Sequence, residues 1–505
     1  MWQNFILAKK IIKEKYLVYC IIILTFLFNI FSLTYFALID WDEGVFALQG
    51  QWLASIGTQG KPFNFQTPPL YQTLIAILFR LFQTNAIMLP ILSIIFSCIT
   101  IYLLFNLTKE LYSPQVGLYS VIFFVVTEFF IFFSKSGLSD ATFVCFFTAS
   151  FLFFIRGVKF NKANHFFLAG FFAVLALYTK YSAFPLLIAF VITGLLQRGR
   201  INRKWFLLSI ILPLLCYVPY LYVFLRFVQI PEISARHVSL LGLNHIKFLL
   251  YTLIFAPIPL TFSIIHLIVN IKHYERWSIY LYILVVTFYL ILGFYYPFFR
   301  LVYPLIPFLS IISARFIHQI GRHKAYVLTA SVLISLVLGA KTITYKSDTP
   351  LKIGQLIDYY CQKETIGYVY TIVPPNINFY VKGTIAVPAN HQWFNVGKKL
   401  PILLKGRNVI HQDNNVLAVE EKVLLLHATI FDSVKQRYLG LYTRGKLLDT
   451  LEFKDAPVYN EDIYNPHRNF KQIYEIYLFD IKELNESIDA LWNLGFEREV
   501  TLVIR

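Results

Sequence analysis

Acidic residues are scarce in most of this chain. The 505 residues include 28 Asp and Glu, and only nine of these lie in the first 342 positions. The same region contains 26 Lys and Arg, so it carries the whole formal charge of +17, whereas residues 343–505 hold 19 residues of each sign. The positive excess therefore belongs to the apolar part of the chain, which argues against a nucleic-acid-binding surface and for a role in membrane topology.

Long apolar runs dominate the first two thirds of the sequence. The chain is 57% hydrophobic and 18% aromatic, with a mean hydropathy of +0.60. Repeated apolar stretches of about 20 residues predict a polytopic α-helical membrane protein. We predict eleven spans, at residues 16–39, 86–106, 115–134, 139–156, 164–180, 182–197, 205–226, 246–270, 278–296, 299–317 and 325–342.

Cysteines are few, and no cleavable leader is expected. Four of the five cysteines fall in predicted spans and only Cys361 lies in the tail, so no disulfide framework is indicated. The first apolar run is too long for a signal peptide and has no evident small-residue cleavage site. We expect it to be retained as a membrane anchor.

The basic residues predict the orientation of the chain. Seventeen of the 26 lie in alternate loops, beginning with Lys9, Lys10, Lys13 and Lys15. The positive-inside rule then places the N-terminus in the cytoplasm, and an odd number of spans places residues 343–505 on the extracytoplasmic side. Residues 70–83 follow Pro68-Pro69 and are too short to span comfortably, so we interpret them as a re-entrant or partial span.

Two domains are expected. Residues 1–342 form the transmembrane domain, with a first outer loop at 40–69, and residues 343–505 form a small soluble α/β domain. Strands are predicted at 367–373, 422–427 and 474–479, where β-branched and aromatic residues are frequent, and helices at 351–364 and 482–494.

The first outer loop contains three of the nine acids, Asp40, Asp42 and Glu43. Carboxylates at a membrane boundary cost free energy, which makes them candidates for function. An apolar stripe follows them at helical spacing: Val45, Leu48, Trp52 and Ile56. This helix is expected either to lie flat in the membrane interface or to pack on neighbouring spans.

Other charges stand at the outer ends of separate predicted spans: Lys135, Asp140, Lys180 and Arg300. A helical bundle would gather these ends around one outward-facing cavity. Carboxylates and fixed cations in a cavity open to lipid suit a substrate with an anionic head and an apolar tail, such as a polyprenyl-phosphate sugar. A carboxylate can take a proton from an acceptor, and cations can stabilise a departing phosphate.

Four motifs in order along the chain carry a family resemblance. They are Asp40-Trp-Asp42-Glu43-Gly44 with the later Pro68-Pro-Leu-Tyr71, then Ser134-Lys-Ser-Gly-Leu-Ser-Asp140, Tyr178-Thr-Lys180-Tyr-Ser and Phe299-Arg300-Leu-Val-Tyr303-Pro. This set resembles the GT-C-type glycosyltransferases, in the branch of protein O-mannosyltransferases and lipid A aminoarabinose transferases. The resemblance implies a GT-C-like fold and an inverting transfer outside the cytoplasm from a dolichyl- or undecaprenyl-phosphate sugar to an acceptor lipid, glycan or protein.

The resemblance also implies roles for individual residues. Asp42 becomes the candidate general base and Glu43 its partner, Asp140 a second carboxylate of the site, and Lys180 and Arg300 ligands of the lipid phosphate. Lys61, Tyr71 and Tyr303 complete the expected substrate-binding set. No cofactor is expected with certainty; a divalent metal is possible but not indicated, since Glu232, His237 and His245 match no tight ligand spacing.

Each of these residues also has a structural explanation. Asp42 and Glu43 could cap a helix, Asp140 could cap the following span, Lys180 could be an interfacial anchor, and Arg300 could serve topology or pair with a structural acid. A transporter or flippase of lipid-linked sugars is the alternative function, and it would favour broken helices and repeated halves. A surface-glycan polymerase or ligase would favour a large outer loop between spans.

Overall fold

The described part of the chain is mainly helical. The computed structural model describes residues 2–33, 37–38, 41–58, 63, 65, 67–197, 199–227, 244–271, 275–295, 297–340, 342, 349–363, 366–371, 379–380, 385–386, 422–428, 446–453 and 472–480. These residues fall into two compact units. The first comprises Met1–Thr34, Phe65–Leu74 and Ile87–Tyr345; the second comprises Tyr35–Asn64, Ile75–Ala86 and Lys346–Arg505. The predicted division at 342/343 stays a prediction.

The helices of the apolar region follow the apolar runs of the sequence. They are α1 (Trp2–Ser32), α2 (Trp41–Ala54), α3 (Leu70–Phe82), α4 (Met88–Leu111), α5 (Pro114–Val125), α6 (Glu128–Phe133), α7 (Asp140–Phe160), α8 (Ala163–Thr179), α9 (Phe184–Leu196), α10 (Arg203–Phe227), α11 (Asn244–Phe255), α12 (Pro257–Val269), α13 (Arg276–Leu292), α14 (Ile306–Gln319) and α15 (Lys324–Leu338). Short 3-10 turns precede α9, α14 and α15, at Tyr181–Ala183, Phe299–Leu305 and Gly321–His323.

Some of these helices are long and apolar enough to span a membrane. Among the described residues, five helical segments are long and apolar enough to cross a bilayer: Glu14–Ser32, Met88–Leu111, Asp140–Phe160, Arg203–Arg226 and Phe299–Gln319. Further apolar helices of 10–17 residues accompany them. The polytopic helical fold class is therefore confirmed, whereas the count of eleven spans and the side on which each terminus lies stay predictions.

The predicted span at 246–270 is not one continuous helix. This stretch consists of α11 and α12, which are bent by 114° at a short break. Ala256, between them, has φ −146° and ψ 55°, and Pro257 is the first residue of the second helix. Proline lacks an N–H and restricts the residue before it to extended backbone, so one continuous helix cannot form here.

A second interruption divides the predicted span at 115–134. Helix α5 ends at Val125, and α6 begins at Glu128 because the hydroxyl of Thr127 accepts the Phe130 N–H at 3.3 Å. Glu128 thus stands in the first turn of a helix, where the helix dipole favours a carboxylate. Its side chain also accepts the hydroxyl of Thr342, whose carbonyl accepts Lys135 Nζ at 2.7 Å.

Of the two placements expected for the first-loop helix, burial favours packing within the protein over lying flat in the membrane interface. Side chains from Glu43 to Gly50 in α2 are all buried within the protein, so the helix has no single apolar face. Ile56, the last member of the predicted stripe, lies beyond the helix end with φ 53° and is 81% exposed. Helix α3 covers the short apolar stretch at 70–83, and its re-entrant or partial-span placement stays a prediction.

The C-terminal part contains a mixed five-stranded sheet. Helix α16 (Thr349–Lys363) precedes β1 (Ile366–Thr371), β2 (Ile385–Ala386), β3 (Lys422–Ala428), β4 (Lys446–Phe453) and β5 (Gln472–Asp480), in the order β2-β1-β3-β5-β4. Strand β1 is parallel to β2 and β3, and β5 is antiparallel to β3 and β4. The α/β class, three strands and the first helix agree with prediction; the helix at 482–494 lies outside the described residues.

Close helix packing in the first unit depends on small residues. Gly170 on α8 faces the backbone of α10: a Cβ there would lie 3.1 Å from the carbonyl oxygen of Leu208 and 3.2 Å from the Cα of Ser209. The obstructing atoms are backbone, so a larger residue must push the two helices apart. Small residues commonly permit such close approach between membrane helices.

We expect Gly170→Leu to destabilise the bundle. Overpacking of a tight contact costs about 1–3 kcal/mol, which should lower the midpoint of thermal unfolding in detergent. Phe171→Leu is the matched control, because Phe171 is the next residue on α8 and is 42% exposed. Equal midpoints for the two variants would show that α8 and α10 do not need this contact.

Candidate functional site

The best-defined polar feature in the first unit is an ion pair between Asp140 and Lys180. Asp140 is the first residue of α7, and Lys180 directly follows α8 in extended conformation. Helices α7 and α8 pack on each other, so the start of one meets the end of the other. Lys180 Nζ lies 2.6 Å from Asp140 Oδ1, and the side chains are 16% and 2% exposed.

The second carboxylate oxygen of Asp140 is the atom of this pair that is open to a further hydrogen bond. Asp140 Oδ2 is buried and accepts no hydrogen bond from the described residues. Buried polar atoms are nearly always satisfied, and an orphaned carboxylate oxygen is costly. A hydroxyl or water bound at this position would satisfy it.

Tyr303 lies in an aromatic wall on the turn before α14. Its side chain is 1% exposed, and its ring stacks on Phe133 at 4.7 Å between centroids and on Phe129 at 6.0 Å. The turn that bears Tyr303 packs against α7, which begins at Asp140. Tyr303 therefore shapes the surroundings of Asp140; direct contact with substrate stays a prediction.

Arg300 opens the 3-10 turn that leads into α14. Its guanidinium lies 5.9 Å from the ring centre of Phe298 and is partly buried. The neighbouring Phe299 stacks on Phe129 and Phe133, which anchors the turn to the same aromatic wall as Tyr303. Arg300, Tyr303, Asp140 and Lys180 are thus all carried by one compact unit.

Tyr71 connects the Pro-Pro-Leu-Tyr element to the loop before Asp140. Its side chain is fully buried, and its hydroxyl donates to the carbonyl oxygen of Gly137 at 2.7 Å. The bond holds the turn from which α7 starts. A direct role for Tyr71 in substrate binding stays a prediction.

The acids of the first loop belong to the second compact unit. Asp42 and Glu43 stand in the first turn of α2; Glu43 is 2% exposed and Asp42 is partly buried. A helix N-terminus favours negative charge, so this position stabilises both carboxylates. Asp40 and Lys61 lie outside the described residues.

Sequence reasoning missed one residue beside these acids. Tyr380 Oη accepts the backbone N–H of Leu38 at 2.8 Å, and the Glu43 carboxylate acts electrostatically on the same hydroxyl. The tail motif Asn-Phe-Tyr-Val-Lys-Gly contains Tyr380 and was the available signal. A motif alone cannot reveal a contact across 342 residues of chain.

The histidine-based metal hypothesis gains no support from the described part of the chain. Glu232 and His237 lie outside it, and His245 Nε2 is 3.1 Å from the Leu290 carbonyl oxygen. No group of three or more His, Cys, Asp or Glu among the described residues is arranged to hold a metal ion. A divalent metal therefore stays possible but not indicated.

Part of the chain matches a known protein family in sequence. Residues 66–223 match the sequence profile of the dolichyl-phosphate-mannose-protein mannosyltransferase family. No curated protein matches the chain in sequence.

Solved structures share the fold at low sequence identity. The chain superposes on ArnT from Cupriavidus metallidurans in the apo state with a TM-score of 0.62 and 12% identity, covering 91% of this chain and 97% of that one. ArnT bound to undecaprenyl phosphate gives 0.60 and 13% over the same shares. The archaeal oligosaccharyltransferase AglB from Archaeoglobus fulgidus, in complex with an inhibitory peptide and a dolichol-phosphate, gives 0.50 and 11%, covering 79% of this chain and 62% of that chain.

Proposed function

We propose that the chain is a GT-C-type membrane glycosyltransferase of the O-mannosyltransferase and ArnT branch, which moves a sugar from a polyprenyl-phosphate donor to an acceptor hydroxyl. The family match at residues 66–223 and the fold shared with ArnT support this proposal. The acceptor belongs to a lipid, glycan or protein on the extracytoplasmic side. The transfer inverts the configuration at the anomeric carbon, in one displacement assisted by a carboxylate base.

One observation carries the proposal. The family match at residues 66–223 includes both members of the buried Asp140–Lys180 pair, whose second carboxylate oxygen has no partner among the described residues. Solved relatives support the donor class, since ArnT is found with undecaprenyl phosphate and AglB with a dolichol-phosphate.

The proposed chemistry is a single displacement. The acceptor oxygen bonds to the anomeric carbon as the bond from that carbon to the phosphate oxygen breaks. Asp42, assisted by Glu43, takes the acceptor proton, and general base catalysis of this kind contributes about 10²–10⁴-fold. The bonding electrons leave with the lipid phosphate, which gains a negative charge.

Cations offset that charge. Lys180 supplies a point charge, and Arg300 supplies a planar fork that binds phosphate oxygens in pairs. In this proposal Asp140 keeps Lys180 in place, and its Oδ2 accepts a hydroxyl from the sugar. Tyr303 and Tyr71 hold the elements that carry this group, and Lys61 contributes a further positive charge.

Release of the lipid product tests the function. Purified protein would be incubated with a panel of polyprenyl-phosphate sugars and candidate acceptors, and free polyprenyl phosphate would be measured by mass spectrometry. We expect release with at least one donor. Failure to release lipid phosphate from any donor, by protein that still binds polyprenyl phosphate, would refute the proposal.

A donor-binding prediction follows for Arg300. We expect Arg300→Ala to weaken binding of a polyprenyl-phosphate sugar by about 10–100-fold, since a hydrogen bond to a charged group contributes about 1.5–3 kcal/mol. Arg300→Lys should bind with intermediate affinity because it keeps the charge and loses the fork. Titration of detergent-solubilised protein with the donor measures each affinity.

Arg226→Ala is the control for that experiment. Arg226 lies in the last turn of α10, is exposed, and donates to the Tyr222 hydroxyl at 3.0 Å, so its removal changes the net charge by the same amount on a different helix. Unchanged donor affinity in Arg300→Ala, or equal losses in both alanine variants, would make Arg300 a structural residue.

A transporter of lipid-linked sugars is the second candidate. The observation that favours it is the 114° bend between α11 and α12, since transporters often use broken helices near their substrate sites. Vesicles carrying the protein and a labelled donor in one leaflet would discriminate. Movement of the intact donor to the other leaflet without release of lipid phosphate would support transport.

A further inference from the structure

Tyr380 contacts the chain just before the candidate base. Leu38 is buried, and its N–H donates to Tyr380 Oη at 2.8 Å. Leu38 precedes Asp42 by four residues and α2 by three. Both partners belong to the second compact unit, so the C-terminal part of the chain holds the backbone that leads into the helix bearing Asp42 and Glu43.

Two further contacts fix Tyr380 itself. The preceding Phe379 stacks on Phe79 of α3 with ring centres 6.2 Å apart. On the other side, Gly354 of α16 lies so close that a Cβ there would be 2.6 Å from Tyr380 Cβ and 3.3 Å from its carbonyl carbon. A glycine inside a helix costs about 1 kcal/mol relative to alanine. The close approach of Tyr380 explains why one stands here.

The hydroxyl of Tyr380 is kept neutral. Burial raises the pKa of Tyr380 well above its ordinary value, the hydrogen bond from the Leu38 N–H lowers it by less, and the Glu43 carboxylate, with the smallest effect, raises it. A neutral hydroxyl accepts one hydrogen bond and retains a proton to donate. Through neutral pH Tyr380 therefore remains an acceptor for Leu38 and adds no second negative charge beside Glu43.

From these contacts we propose that Tyr380 is a positioning residue for the transfer reaction: its hydroxyl fixes the backbone at Leu38 and so sets where the carboxylates of Asp42 and Glu43 stand. This inference rests on the proposed function and deepens it. The soluble domain becomes part of the catalytic apparatus, in addition to any role in choosing the acceptor. Tyr380 itself touches no reacting atom.

Tyr380→Phe is the primary test. It removes one hydrogen-bond acceptor and keeps the ring, so kcat should fall about tenfold, as expected for loss of one hydrogen bond. Donor affinity should stay within about twofold, because no donor ligand changes. Amide hydrogen exchange should accelerate in the peptide containing Leu38, which reports directly on the lost bond.

Tyr360→Phe is the matched control. Tyr360 lies on α16 in the same unit, and its hydroxyl donates to the carbonyl oxygen of Leu448 at 3.4 Å. This substitution removes a tyrosine hydroxyl bond from the C-terminal domain without touching the first loop. It should leave kcat and the exchange of the Leu38 peptide unchanged.

Gly354→Ala gives an independent variant in which the hydroxyl is retained. The added methyl must displace Tyr380, so kcat should again fall while donor affinity is kept. Wild-type kcat in both Tyr380→Phe and Gly354→Ala, or unchanged exchange at Leu38 in Tyr380→Phe, would overturn the inference. Absence of lipid-phosphate release from the wild-type protein would instead refute the proposed function, so the two failures are distinguishable.

Discussion

Asp42→Asn is expected to reduce transfer by about 10³-fold while donor binding is kept, because the amide cannot take the acceptor's proton. The substitution preserves size and shape. Rates of lipid-phosphate release and the affinity for a polyprenyl-phosphate sugar, both measured on purified protein, give the two quantities separately.

Asparagine also separates catalysis from helix capping. Asp42 stands in the first turn of α2, where its carboxylate stabilises the helix N-terminus. Asparagine keeps the shape and loses only the charge, so a purely structural Asp42 would lose about 0.3–1 kcal/mol of helix stability and keep transfer. Asp42→Ala is the control that removes both roles. Full activity in Asp42→Asn would exclude Asp42 as the base and leave only its structural role.

The second large effect is expected at the Asp140–Lys180 pair. Lys180→Met leaves the Asp140 carboxylate, which is 2% exposed, without the ammonium group that lies 2.6 Å from it. Removing one member of a buried pair typically costs about 3–5 kcal/mol. The midpoint of thermal unfolding should fall sharply, and the double variant Asp140→Asn/Lys180→Met should recover much of the loss.

A partly exposed pair on the same helix provides the comparison. Lys159 on α7 lies 3.0 Å from Glu110, with side chains 36% and 22% exposed. Pairs screened by solvent contribute about 0–1 kcal/mol, so Lys159→Met should change stability little. For the double variant Asp140→Asn/Lys180→Met, we expect recovered stability and lost transfer. Recovery of both would show that the Asp140–Lys180 pair has no catalytic role.

Local sequence patterns predicted much of the fold. Apolar runs located α4, α7 and α10, and β-branched residues located β1, β3 and β5. The break at Pro257 was readable in principle, since a proline inside an apolar run disfavours one continuous helix. The length of the apolar run gave no sign of this break, because α11 and α12 together contain enough apolar residues for one span.

Strand β4 was missed for a different reason. Its sequence, Lys-Leu-Leu-Asp-Thr-Leu-Glu-Phe, carries charged residues that depress strand propensity. Pairing with β5 along its length overrides that local preference. Tertiary contacts of this kind are not visible in a window of sequence.

The candidate site was predictable as a set of residues but not as a set of contacts. The sequence predicted that Asp140 and Lys180 lie at the ends of separate spans. The structure shows that they form an ion pair, because α7 and α8 pack on each other. Lys135 was expected near phosphate, but Lys135 Nζ donates to the Thr342 carbonyl at 2.7 Å. Convergence of Asp42 with Arg300 on one substrate stays a prediction.

The most direct test follows the anomeric carbon itself. A polyprenyl-phosphate sugar labelled with carbon-13 at that carbon would be mixed with the protein and acceptor, and its NMR signal recorded through the reaction. The account predicts that coupling to phosphorus disappears and that one product signal of opposite anomeric configuration replaces it. Retained configuration in the product would contradict a single displacement assisted by Asp42. So would a coupling to phosphorus that never disappears although the donor is bound and the acceptor is present.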